Sequence, residues 1–61
     1  MSDVNKYSQK DKEWIVATAV KLMAGTVAEL GIDYAKEPSE WEIAILAARI
    51  GLKTFKDKGL I

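Results

Sequence analysis

Apolar residues in the first half of the chain recur with the spacing of an amphipathic helix. Five of them are separated by four, three, four and three residues, which is a heptad seam along one helix face. They are Val16, Val20, Met23, Val27 and Leu30. Ile15, Ala19 and Leu22 widen this seam on one side. The pattern predicts a helix over about residues 9–30 that packs against a neighbour along the seam.

Capping residues indicate where the helices begin and end. Gly31 and Gly59 each stand between the end of an apolar run and a further apolar residue. This arrangement predicts C-terminal glycines in the left-handed conformation. Ser8 is the expected N-cap of the first helix, and Asp11 is an alternative start.

A second helix is predicted over about residues 39–58. Pro38 disfavours helical backbone in the residue before it, and Ser39 with Glu42 matches a capping box. The connection over residues 31–38 is short enough to favour two antiparallel helices. The predicted fold is therefore all-α, an antiparallel helical hairpin.

The hairpin is expected to form one domain over residues 8–61, preceded by a flexible arm over residues 1–7. A chain of 61 residues buries only about 60% of the surface that its unfolded form exposes. Such small scaffolds usually need a disulfide, a metal or a partner chain. The chain contains no cysteine and no histidine, so association with another chain is the expected source of extra stability.

The second helix is apolar on nearly all sides. One stripe contains Ile43, Ala47 and Ile50. Another stripe, on roughly the opposite side, contains Trp41, Ile45, Ala48, Leu52 and Phe55, with Ala44 and Gly51 between the two. A helix with this pattern is buried on more than one face, and one neighbouring helix covers only one of them. The second stripe therefore needs another surface.

We predict that two copies dimerise through this helix into a four-helix bundle. Small residues at four-residue spacing would allow close approach of the backbones near the two-fold axis. The predicted interface consists of Trp41, Ala44, Ile45, Ala47, Ala48, Gly51, Leu52 and Phe55. The architecture resembles small helical-hairpin dimers in shape alone, and no motif transfers a function from them.

Trp14 and Lys21 mark a candidate outer surface on the first helix. Trp14 projects toward the polar side of that helix, and tryptophan is enriched at binding hot spots. The alternative is that Trp14 packs under the N-terminal arm or the neighbouring helix end.

Charge and motif content argue against several classes of function. The formal net charge is zero, so no field attracts nucleic acid or an anionic membrane. Lys21 and Arg49 disfavour a membrane-spanning hairpin, and the polar N-terminus lacks a signal-peptide pattern, which favours the cytoplasm. No phosphate loop or nucleophile motif is present, and the acidic residues at the connection match no calcium loop. We expect no enzymatic activity, cofactor or metal.

The sequence thus predicts a small interaction module, an adaptor, inhibitor or regulator that acts as a homodimer and binds a larger protein. This profile is similar to that of compact accessory proteins of phages and mobile elements. One alternative is a nucleic-acid-binding regulator that uses Lys53, Lys56 and Lys58. Another is a subunit that folds only on a larger partner.

Overall fold

Residues 6–61, the part of the chain described by a computed structural model, form two α-helices joined by a short 3₁₀ helix. Helix α1 spans Gln9–Leu30, the 3₁₀ helix spans Ile32–Lys36, and α2 spans Pro38–Asp57. The start of α1 contacts the end of α2, so the helices are antiparallel. The predicted helical hairpin is confirmed. Residues 1–5 of the predicted arm lie outside the described residues.

Helix α1 begins as predicted and ends differently. The backbone N–H of Asp11 donates to the Ser8 hydroxyl oxygen at 3.1 Å, so Ser8 is the N-cap. Gly31 has a φ of 109°, which favours glycine, but its ψ of 161° is extended rather than left-handed helical. The chain therefore leaves α1 without the predicted fold-back turn and enters the 3₁₀ helix directly.

Helix α2 begins upstream of the predicted cap. Glu37 is the N-cap and Pro38 occupies the first turn, while Ser39 already lies inside the helix. No side chain makes a capping hydrogen bond at this end, so the prediction of a Ser39–Glu42 capping box is wrong. The physical reason is that proline is pre-organised for the first helical position, where its missing N–H costs nothing.

The end of α2 is a Schellman motif, as the glycine predicted. The Gly59 N–H donates to the Lys56 carbonyl at 3.0 Å, and the Leu60 N–H donates to the Phe55 carbonyl at 2.8 Å. Gly59 has a φ of 74°, which a residue with a side chain rarely adopts. The motif satisfies carbonyl groups that the helix end would otherwise leave unpaired.

The core consists of one row of residues from each helix, both with four-residue spacing. The rows are Ile15, Ala19 and Met23 from α1, and Ala44, Ala48 and Leu52 from α2. Rows of this spacing form the ridges and grooves through which helices commonly pack. Half of these core residues are alanines, so the two backbones can approach closely while the larger side chains fill the ends.

The predicted heptad seam of α1 is only partly the buried face. Met23 belongs to the core, but Val16, Val20 and Leu30 are exposed. The buried row of α1 instead contains Ile15 and Ala19, which the sequence pattern placed beside the seam rather than in it. This rotation of α1 brings large aromatic side chains against the core, and an aromatic ring buries more apolar area than a valine.

Aromatic side chains close the flanks of the core. Trp14 meets Phe55 edge-on, with ring centroids 6.1 Å apart and planes at 79°. The Trp41 indole N–H donates to the carbonyl oxygen of Ala35 at 2.8 Å. This hydrogen bond links the 3₁₀ helix of the connection to the start of α2. These contacts add apolar burial on both sides of the small core.

Two polar contacts join the helices at the open end of the hairpin, opposite the connection. The Lys56 ammonium lies 2.6 Å from the Asp11 carboxylate. Arg49 Nε donates to the Tyr7 hydroxyl at 3.1 Å, and the guanidinium lies 5.8 Å from the Tyr7 ring centroid. Tyr7 is half-buried against the core, so this residue of the predicted flexible arm belongs to the folded hairpin.

Within residues 6–61, neither helix combines the length and hydrophobicity required to cross a membrane.

Substitution of two glycines by alanine should shift stability in opposite directions. Gly25 is exposed in the middle of α1, and a Cβ there would meet no atom within 4 Å. Gly25→Ala should stabilise the hairpin by about 0.5–1 kcal/mol. Gly59→Ala should destabilise it by about 1 kcal/mol because alanine is strained at a φ of 74°. Thermal unfolding followed by circular dichroism measures both, and a gain in stability for Gly59→Ala would contradict the Schellman assignment.

Candidate interaction surface

An exposed apolar stripe runs along α2 beside the face that packs on α1. It consists of Ile43, Leu46, Ala47 and Ile50, and we call it the outer stripe. The exposed fractions are 62% for Ile43, 53% for Leu46 and 59% for Ile50. These positions are separated by three, one and three residues, so they share one helix face. Isolated apolar residues are common on protein surfaces, but a contiguous patch indicates a binding site.

The outer stripe contains no charged residue and extends onto α1. Positions 43–48 are all apolar, and Arg49 turns to the opposite side, where it binds Tyr7. Leu22 of α1 lines a shallow groove together with Ile43, Ala47 and the charged Glu40. The apolar surface therefore bridges both helices, which is the arrangement required for packing against a further helix pair.

The core of the hairpin itself contains three of the residues predicted to contact a second chain. Ala44, Ala48 and Leu52 have exposed fractions of only 5%, 1% and 3%. They pack on α1 and are not accessible to another chain while the hairpin is folded. The stripe with Ala48 and Leu52, which was predicted to contact a second chain, thus packs on α1. The stripe with Ile43 and Ile50 is the one that remains exposed. The reason is that Ala44 and Ala48 provide the close approach within one hairpin rather than between two.

The other predicted interface residues lie at different places around α2. Trp41 is half-buried at the connection. Gly51 faces the Trp14 ring, since a Cβ on Gly51 would lie 3.7 Å from that ring. Ile45 lines a groove on the opposite face with Val16. Of the eight predicted positions, only Ala47 belongs to the outer stripe.

Leu46 is the residue of this surface that sequence reasoning missed. Its spacing already places it with the outer stripe, since it lies three residues after Ile43 and four before Ile50. The spacing of Leu46 was therefore apparent in the sequence, but the apolar pattern on its own gave no reason to prefer this stripe as the exposed one.

The predicted outer surface on α1 separates into two parts. Trp14 is half-buried and packs on Phe55 at the end of α2, which corresponds to the alternative of packing against the neighbouring helix end. Lys21 remains exposed. Trp14 therefore stabilises the hairpin, and its ring contributes less to a free surface than the sequence suggested.

Two of the three lysines near the end of α2, Lys53 and Lys56, are engaged in ion pairs. Lys53 lies 3.0 Å from the Asp57 carboxylate and Lys56 lies 2.6 Å from that of Asp11. Among residues 6–61, no three Asp, Glu, His or Cys side chains are grouped to hold a metal ion.

The chain matches no protein-family model, no curated protein and no solved structure.

Two adjacent alanines provide a matched test of which side of α2 is buried. Ala48→Glu should unfold the hairpin because it places an unpaired charge in the core, at a cost of about 3 kcal/mol or more. Ala47→Glu makes the same chemical change at an exposed position and should leave the monomer helical. Circular dichroism and denaturant titration measure both. Loss of helix in Ala47→Glu with retention in Ala48→Glu would reverse the assignment of the two faces.

Proposed function

We propose that this protein is a small non-enzymatic interaction module, an adaptor, inhibitor or regulator that acts as a homodimer through α2. Its contact surface is the outer stripe, and its role is to bind another protein rather than to transform a substrate. The observation that carries the proposal is the continuous exposure of Ile43, Leu46 and Ile50 on one helix face.

The small size of the core supports this proposal. Only three large apolar side chains are buried among residues 6–61, namely Ile15, Met23 and Leu52. Domains of this size commonly gain the missing stability by association. Covering the outer stripe would extend apolar burial across α2, which the intramolecular contact leaves open on one side.

An interface of ordinary size would cover a modest share of the surface of this chain. A standard interface buries about 800 Å² on each partner, which is about one sixth of the 4714 Å² accessible surface of this chain. The outer stripe with Leu22 would supply its apolar centre, and the charged residues at the ends of α2 would supply a polar rim.

A charge placed in the outer stripe should dissociate the dimer. Ile50→Glu should weaken association by roughly tenfold or more, since a buried interface centre carries most of the binding energy. The measurement is solution mass by light scattering across a concentration series, with circular dichroism on the same samples.

Val16→Glu is the matched control. Val16 is exposed to 62%, close to the value for Ile50, but it lies on the opposite face of the hairpin. This variant should remain dimeric. A wild-type chain that is monomeric at every concentration, or equal dissociation of both variants, would contradict the proposal.

A further inference from the structure

The charges of the hairpin are segregated along its long axis, although the formal net charge of the chain is zero. The half of the hairpin that carries the connection has five acidic and two basic residues: Glu29, Asp33, Glu37, Glu40 and Glu42 with Lys21 and Lys36. The open end has seven basic and three acidic residues: Lys6, Lys10, Lys12, Arg49, Lys53, Lys56 and Lys58 with Asp11, Glu13 and Asp57. The described chain is therefore an electric dipole.

Within α2, this segregation is symmetric about the outer stripe. The midpoint of the stripe lies between Leu46 and Ala47. Glu40 precedes this midpoint by about 10 Å along the helix, and Lys53 follows it by the same distance, at a rise of about 1.5 Å per residue. Glu40 and Lys53 are thus equally distant along the helix from the centre of the apolar patch.

We infer that the outer stripe is covered by the α2 helix of a second copy of this chain, running antiparallel about a two-fold axis near Leu46 and Ala47. This inference rests on the homodimer proposed above and adds the arrangement of its two copies. Ile43 of one copy packs beside Ile50 of the other. The small side chain of Ala47 lies near the axis, where it allows the helices to approach closely.

Charge complementarity selects the antiparallel arrangement. It places Glu42 of each α2 on the same flank as Lys53 of the other, where Lys53 can exchange its exposed ion pair with Asp57 for one across the contact. A parallel pair would instead place Lys53 beside its own copy and Glu40 beside its own copy, and like charges side by side are unfavourable. The helix dipoles also favour the antiparallel pair, because the positive end of each α2 then lies beside the negative end of the other.

Single cysteines can distinguish the two arrangements because the natural chain contains none. Ser39 and Thr54 are exposed and continue the outer stripe by one turn at either end. In the antiparallel dimer, Ser39 lies beside Thr54 of the other copy. In a parallel dimer these two positions are about 22 Å apart along the axis, and each lies beside its own copy.

The experiment treats Ser39→Cys and Thr54→Cys proteins, alone and as an equimolar mixture, with a bis-maleimide reagent that spans about one interhelical distance, roughly 10 Å. Intact mass separates the three possible cross-linked products. We expect product from the mixture and almost none from either protein alone. Ala47→Cys should cross-link to itself at the axis, and Lys21→Cys on the far side of α1 should not cross-link.

Each other outcome overturns the inference in a recognisable way. Cross-linking of each protein with itself, with no product that joins Ser39→Cys to Thr54→Cys in the mixture, would show a parallel dimer and leave the proposed homodimer intact. A dimeric mass with no cross-link at Ala47→Cys, Ser39→Cys or Thr54→Cys would show that another surface is used. A monomeric mass would contradict both this inference and the proposed function.

Salt tests the role assigned to charge. The dissociation constant of the wild-type dimer should rise about fivefold between low and high ionic strength, because salt screens the exposed ion pairs at the rim of the interface. An affinity that is unchanged or increased at high salt would refute the charge complementarity that selects this arrangement.

Discussion

The contact between the Ala44–Ala48–Leu52 row of α2 and the Ile15–Ala19–Met23 row of α1 is the interaction on which the rest of the structure depends. Alanine at three of these six positions lets the helices approach closely. That approach fixes the rotation of each helix about its own axis. Once the rotation is fixed, the positions of every other side chain on the hairpin surface follow, including the exposed and the half-buried apolar ones.

This rotation explains the distribution of the aromatic residues. Trp14 and Trp41 lie on the flanks of the core, where they extend the narrow contact surface between the two buried rows. Tyr7 and Arg49 pair at the open end, together with Asp11 and Lys56. A hairpin with only three large buried side chains therefore gains much of its packing from residues that are only partly covered.

The same rotation leaves apolar surface uncovered, and this is the basis of the proposed function. One helix neighbour covers one side of α2, while Ile43, Leu46 and Ile50 face solvent on another side. The charges around this patch are arranged with opposite signs at its two ends. A self-complementary surface of this kind fits a second copy of the same chain, because a two-fold axis brings each end of the patch beside the opposite end of the other copy.

Much of the secondary structure could be predicted from the sequence, because helix periodicity and capping act over a few residues. Ser8 and Gly59 marked helix ends correctly, while Ser39 did not become a cap because Pro38 already provides the first helical position. Both apolar stripes of α2 were visible as patterns. Only the tertiary structure decided which of them faces α1. Local spacing describes two possible faces equally well, and the choice depends on side chains distant in sequence: Ile15, Ala19 and Met23 of α1, with Trp14 on the flank.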